Sequence, residues 1–247
     1  MLFNFHGLYT DDDKNKFRLA QEEDLESICD YLKTDNSKVA DIRFEVFDTR
    51  EGKQAADPHH SISRASARFN EMALYRVWTP DDDPHFPHEI THLVAHTWTK
   101  PYVLTEELDT AYRTKVKKTF EMVSTSFMQE GLAIAVDDIV FQRKLLEEGE
   151  SKFIDDWCLK QLAKMPSTLK QVINLDGFNS MENKIVVPFA ASVSKYLLQN
   201  SGVGQYKEMY IRLMETASPL ENIRILEEIY QLSERQIINQ WQKLIEK

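Results

Sequence analysis

His88-Glu89-Ile90-Thr91-His92 is the stretch on which the reading of this chain turns. On a helix, residues four apart lie on one face, so His88 and His92 can point at a single metal ion. Glu89 sits one residue round, where a carboxylate can take a proton from a metal-bound water. The chemistry needs these residue types: two neutral imidazoles as zinc ligands and one unligated carboxylate as general base.

The chain of 247 residues is 42% hydrophobic and 28% charged, enough to bury a sizeable core as one large domain or two closely packed lobes. Seven Gly and eight Pro are too few for long flexible linkers. A net charge of −10, spread along the sequence, argues against nucleic acid and anionic membranes as partners. Cys29 and Cys158 lie far apart in apolar helical patterns and are expected to be buried free thiols, since neither belongs to a C-x-x-C pair. Leu132 to Val136 is among the longest apolar runs and is far too short to span a bilayer. The N-terminus, Met1-Leu2-Phe3-Asn4-Phe5-His6, lacks the basic region and cleavage site of a signal peptide. The expected compartment is cytoplasmic by default, or secreted if the chain is a trimmed form.

Outward from the motif, Thr79-Pro80-Asp81-Asp82-Asp83-Pro84 is a breaker segment leading into the motif helix, and Pro87 suits that helix's first turn. Before it, Ser66 to Phe69 and Met72 to Trp78 read as strands, the second aromatic and β-branched with Arg76 interrupting it. Ile42, Phe44 and Val46 alternate with Arg43 and Glu45 as a further strand, and Glu51 to Ser63 reads as a polar loop holding His59-His60. Lys16 to Leu32 has a helical stripe of Leu19, Leu25, Ile28 and Leu32. After Pro101 the pattern is almost wholly helical. Glu106 to Met122 is a charged helix, and Ser126-Phe127-Met128-Gln129 has capping-box form and opens a helix to about Leu146. Ser151 to Met165, Leu169 to Leu175, Ile185 to Asn200 and Gln205 to Thr216 follow. Ser218 and Ser233 cap the last two helices, the final one burying Ile237, Trp241 and Leu244.

The expected fold is therefore α+β: residues 1–100 form an N-terminal subdomain with a small mixed sheet, ending in the motif helix, and residues 101–247 a helical C-terminal subdomain, with the metal cleft between them.

A catalytic zinc usually has three protein ligands and one open position. His96 extends the ladder from His88 and His92, but each further turn carries a side chain ~6 Å along the axis, too far for one tetrahedral ion. The pattern H-E-x-x-H-x-x-G-x-x-H is absent, because residue 95 is Ala and residue 98 is Trp. Glu130, in Phe127-Met128-Gln129-Glu130-Gly131-Leu132-Ala133, is the better candidate: Gly131 allows a neighbouring backbone close, and Ala133 leaves the same face uncrowded. The other reading of Glu130 is a first-turn carboxylate complementing the helix dipole.

On these residues the chain resembles the gluzincin metallopeptidases, with their thermolysin-like and aminopeptidase-like, zincin-like catalytic domain. Glu130-Gly131-Leu132-Ala133 is similar to that family's E-G-x-A ligand helix, and Ala191 to Leu197 looks like its small-residue helix ahead of a Tyr-Leu pair. The likeness covers roughly Ala67 to Lys247. It implies that His88, His92 and Glu130 bind Zn²⁺, that Glu89 activates the water, and that Met72 to Trp78 is the edge strand along which a peptide lies. The 37 residues between His92 and Glu130 exceed the spacing of compact members, which makes Lys100 to Thr125 an inserted helix. No tyrosine lies between Ile185 and Ala191 to stabilise an oxyanion; His85, Tyr102 and Tyr112 are the other candidates. Asp137, two turns after Glu130, could orient a ligating histidine or be a solvated charge.

The expected function is a zinc metallopeptidase acting on peptide or protein substrates, with no nucleic acid, no integral membrane segment and an open oligomeric state. The alternative is a catalytically degenerate zincin-fold binding or scaffolding module; a third reading, a structural zinc, needs a fourth ligand such as His85 or His96.

Overall fold

The computed structural model describes residues 1–57, 62–68, 71–98, 125–147, 149–214 and 217–247. The expected helix Glu106 to Met122, the His59-His60 pair, Tyr102 and Tyr112 lie outside them. The chain divides into two compact units, Met1–Leu104 and Thr105–Lys247.

In the first unit, β1 (Leu2–His6), β2 (Arg43–Phe47), β3 (Ser63–Arg68) and β4 (Glu71–Val77) form a sheet in the order β1-β2-β4-β3. β1 and β4 run parallel to β2, and β3 is antiparallel to β4. β1 has no counterpart in the sequence reading, yet Phe3 and Phe5 alternate with Asn4 and His6 as a strand with one apolar face should. Phe17 of helix α1 (Asp11–Leu32) packs edge-on against both phenylalanines, and its ring centre lies 4.9 Å from that of Trp78. On the sheet's other face, Glu45 accepts from Asn4 Nδ2 and pairs with His6 and Arg43. Ile42, Phe44 and Val46 are buried as their alternation predicts.

Three expectations are corrected here. Helix α1 begins at Asp11 rather than near Lys16, because Thr10 and Asp13 close a capping box, and Leu19 is exposed while Phe17, Gln21, Asp24 and Ile28 face inward. Arg50–Ala56 is a helix, α2, within the expected loop: Thr49 caps it, and the buried pair Lys53–Asp57 closes its far end. Among the described residues β4 lies inside the sheet between β2 and β3, so the edge strands are β3 and, on the far side, β1.

In the second unit, helix α4 (Ser126–Phe141) lies along α7 (Asn183–Arg212). Its cap is the buried Thr125, one residue before the expected Ser126, and it ends at Phe141 where Gln142 turns left-handed. The hairpin β5 (Leu145–Glu147) and β6 (Glu150–Lys152) follows, then α5 (Ile154–Lys160) and the short α6 (Leu175–Asn179). The two expected helices after Ile185 are joined in α7 across a kink at Gly202, whose φ of 83° favours glycine. Ser218 and Ser233 cap α8 (Pro219–Tyr230) and α9 (Glu234–Ile245) as expected; in α9, Ile245 takes the buried place assigned to Leu244.

Gly131 is where α4 and α7 approach most closely. A Cβ there would lie 2.8 Å from the Ala190 carbonyl oxygen and would also collide with Ser194 Oγ. Ser194 cannot turn away without losing the hydrogen bond from Tyr206 Oη, 2.9 Å. Below this crossing, Lys195 Nζ bridges Asp138 and Asp155 at 2.7 Å each, and Ser192 Oγ donates to Asp155 while accepting from Trp241 Nε1. These five side chains tie α4, α5, α7 and α9 together. Cys29 and Cys158 are buried free thiols; burial, foremost, pushes Cys29 up to about 11 and Cys158 higher.

The class is α+β with a small mixed sheet. No helix among the described residues is long and apolar enough to cross a membrane. Gly131→Ala should destabilise the protein by about 1–3 kcal/mol, the cost of overpacking against a backbone oxygen, read as a lowered urea midpoint with unchanged slope.

Candidate metal centre

Helix α3 (Pro87–His96) has an unusual start. Phe86 at its N-cap offers no side-chain cap, and Pro87 has no N–H to satisfy. The cap comes from another element: Asp24 of α1, wholly buried, accepts from the Phe86 N–H at 2.6 Å and bonds His85 Nδ1 at 2.8 Å. A carboxylate here also complements the positive end of the helix dipole.

Two more side chains hold the same connection. Arg76, whose charge interrupted the sequence pattern of β4, is buried and donates to the carbonyls of Asp83 (2.8 Å), His85 (3.3 Å) and Pro84 (3.4 Å). Its guanidinium lies 4.0 Å from the Phe86 ring centre. Gln21 Nε2 donates to the Pro84 carbonyl. The residues leading into the motif are thus fixed by three inward-facing polar groups.

From that start, Ile90, Thr91, Leu93, Val94 and Ala95 are buried, leaving His88, Glu89 and His92 half-buried. The Nε2 atoms of His88 and His92 stand 3.2 Å apart, with ring planes near perpendicular. Two nitrogens bound at ~2.05 Å to one tetrahedral zinc would be about 3.3 Å apart. The rings therefore stand as two ligands of one ion would, although an N–H···N hydrogen bond has the same length.

Glu89 is held by β3: its Oε2 accepts from the Ala65 N–H at 2.6 Å and its Oε1 from Ser63 Oγ at 3.2 Å. His96 is half-buried one turn beyond His92, and burial holds its pKa below the usual histidine value. Trp98 is buried, as expected, with its Nε1 donating to Thr34 Oγ1.

In the second unit, Glu130 is half-buried on the second turn of α4, between the buried Met128 and Gly131. It lies near enough to Tyr210 that its negative charge, after burial itself, raises the phenol's pKa, keeping Tyr210 neutral. His88 and His92 thus stand together on α3 of the first unit, and Glu130 stands on α4 of the second. Tyr196, a residue of the expected Tyr-Leu pair, is buried with its hydroxyl donating to Gln240. Asp138, next to the half-buried Asp137 that the sequence singled out, is also built into the α4 core.

Asp24, Arg76 and Ser63 escaped the sequence reading. A signal existed for the first: Asp24 falls on the same helical face as Phe17 and Ile28, where a charge has to be partnered. No family model, curated protein or solved structure matches the chain.

Asp24→Ala should lower the unfolding free energy by about 2–4 kcal/mol, because it strands the Phe86 N–H and the half-buried His85 imidazole. Asp24→Asn, which keeps one acceptor, should lose about half as much in the same denaturant titration.

Proposed function

We propose that the protein is a zinc-dependent metallopeptidase of gluzincin type on a zincin-like fold, with His88, His92 and Glu130 holding the ion and Glu89 as general base. The observation that carries this reading is the 3.2 Å separation of the two imidazole Nε2 atoms, matched to the ligand spacing of a tetrahedral zinc. The donor types fit as well: two imidazoles and one carboxylate are a catalytic zinc set that leaves one coordination position for water or substrate.

When bound, zinc would supply a Lewis acid that polarises the scissile carbonyl and acidifies a water. Glu89, one residue from the first histidine, would take that water's proton and deliver it to the leaving amine. The edge of β3 offers backbone groups on which an extended peptide can lie. A net charge of −10 favours a polypeptide substrate over a nucleic acid.

One observation favours the alternative, a zincin-like module that binds peptides without cleaving them: both oxygens of Glu89 are engaged by β3. Chelator-sensitive hydrolysis of a peptide library separates the two readings; peptide binding without hydrolysis at full zinc occupancy would favour the binding module.

Glu89→Gln should keep one zinc per chain by elemental analysis and lose hydrolysis by about 10²–10⁴-fold. His92→Ala should lose stoichiometric zinc, and an unchanged metal content would sink the ligand assignment.

A further inference from the structure

The contact between Glu89 and β3 falls on backbone groups that a docking peptide would itself use. The Val77 N–H donates to the Ile62 carbonyl at 2.8 Å, which makes that pair hydrogen-bonded. In the register that follows, Ser63 faces Arg76, Arg64 faces Tyr75 and Ala65 faces Leu74. Hydrogen-bonded and non-bonded pairs alternate along an antiparallel ladder. Arg64 therefore turns its N–H and C=O toward β4, while Ser63 and Ala65 turn theirs to the outer edge. The Ala65 N–H accordingly reaches Glu89 Oε2 at 2.6 Å, and the Ser63 hydroxyl holds Oε1 at 3.2 Å.

We propose that Ser63 and Ala65 form a latch that parks Glu89 on the sheet edge, and that an extended peptide adding to β3 opens it by taking the Ala65 N–H. The inference rests on the edge-docking part of the proposed function. The peptide's carbonyl and the Glu89 carboxylate need the same donor, so the two cannot be satisfied together. Docking displaces Oε2, and the side chain stays tethered by Ser63, the positioning residue, on the helix that carries His88 and His92. The base is withheld from water until a backbone of the right shape has arrived. The ligand that triggers release is an extended peptide main chain, recognised through its carbonyl and not through a side chain.

The test uses the full chain freed of metal by chelation, so zinc chemistry does not enter the readout. A randomised library of capped hexapeptides is panned on the protein, and the affinity of recovered peptides is compared across variants. Glu89→Ala should bind them about tenfold more tightly than the native chain, the size expected for a charge-assisted hydrogen bond no longer in competition. The Ala65 amide should exchange with solvent about tenfold faster in Glu89→Ala than in the native chain, measured by NMR without peptide. Ser63→Ala should give a smaller gain of affinity that Ser63→Thr reverses, and His92→Ala should leave the Glu89→Ala gain intact. Recovery of no peptide would overturn docking on this edge. Equal affinities for the native chain and Glu89→Ala, or unchanged exchange at Ala65, would overturn the latch. Neither result depends on whether zinc binds, which the metal content of His92→Ala decides separately.

Discussion

A buried carboxylate with no cation beside it in the sequence is costly, and the first unit is arranged around keeping Asp24 satisfied. Its two oxygens take the His85 ring nitrogen and the Phe86 N–H, the donors that appear just as the chain leaves the sheet for α3. A helix start ordinarily finds its cap locally, in a serine or aspartate one residue upstream. Here the cap is 62 residues away, so α3 can begin correctly only after α1 has packed beside it. Local structure at the motif is made conditional on tertiary structure, which fixes the rotation of α3 about its axis and with it the direction of His88 and His92.

Arg76 solves the complementary problem. A connection rich in aspartate and proline has carbonyls that no helix or strand uses, and burying them unpaired costs about 1–3 kcal/mol each. One guanidinium with five donors in a plane satisfies three of them and stacks on Phe86. Lysine, with its three donors on one nitrogen, lacks the planar fork that reaches separated carbonyls while stacking on Phe86. The second unit shows the same economy differently: Lys195 and two aspartates share one partly buried cluster, while Gly131 lets the helix bearing Glu130 come close to the α7 backbone.

How far the sequence was legible follows from which interactions are local. The H-E-x-x-H spacing and the Ser218 and Ser233 caps depend on residues within one turn, and each appears where the pattern places it. So do the buried alternation of β2 and the close approach at Gly131. Errors fall where a longer-range partner decides. β1 is a strand because β2 lies beside it, and α2 replaces the expected loop because Lys53 finds Asp57 in a buried pair. The edge of the sheet moved from β4 to β3 because strand order is not encoded in the strands' own alternation. Asp24 and Arg76 looked like surface charges by type and interruptions by position, and only their distant carbonyl and amide partners explain them.

The shift of the edge to β3 also changes what Glu89 is in the molecule. Had β4 been the edge, the base and the peptide-binding backbone would have been separate devices. With β3 there, and its outward groups set by the pairing of Ile62 with Val77, the carboxylate one residue after His88 meets an unpaired strand N–H in a half-buried place. An anion in such a place has to be held by donors, and an edge N–H facing away from its sheet has to find an acceptor. Each satisfies the other at 2.6 Å. Any peptide that adds to this edge must supply the acceptor that Glu89 gives up, so substrate geometry and the disposition of the base are coupled by one hydrogen bond.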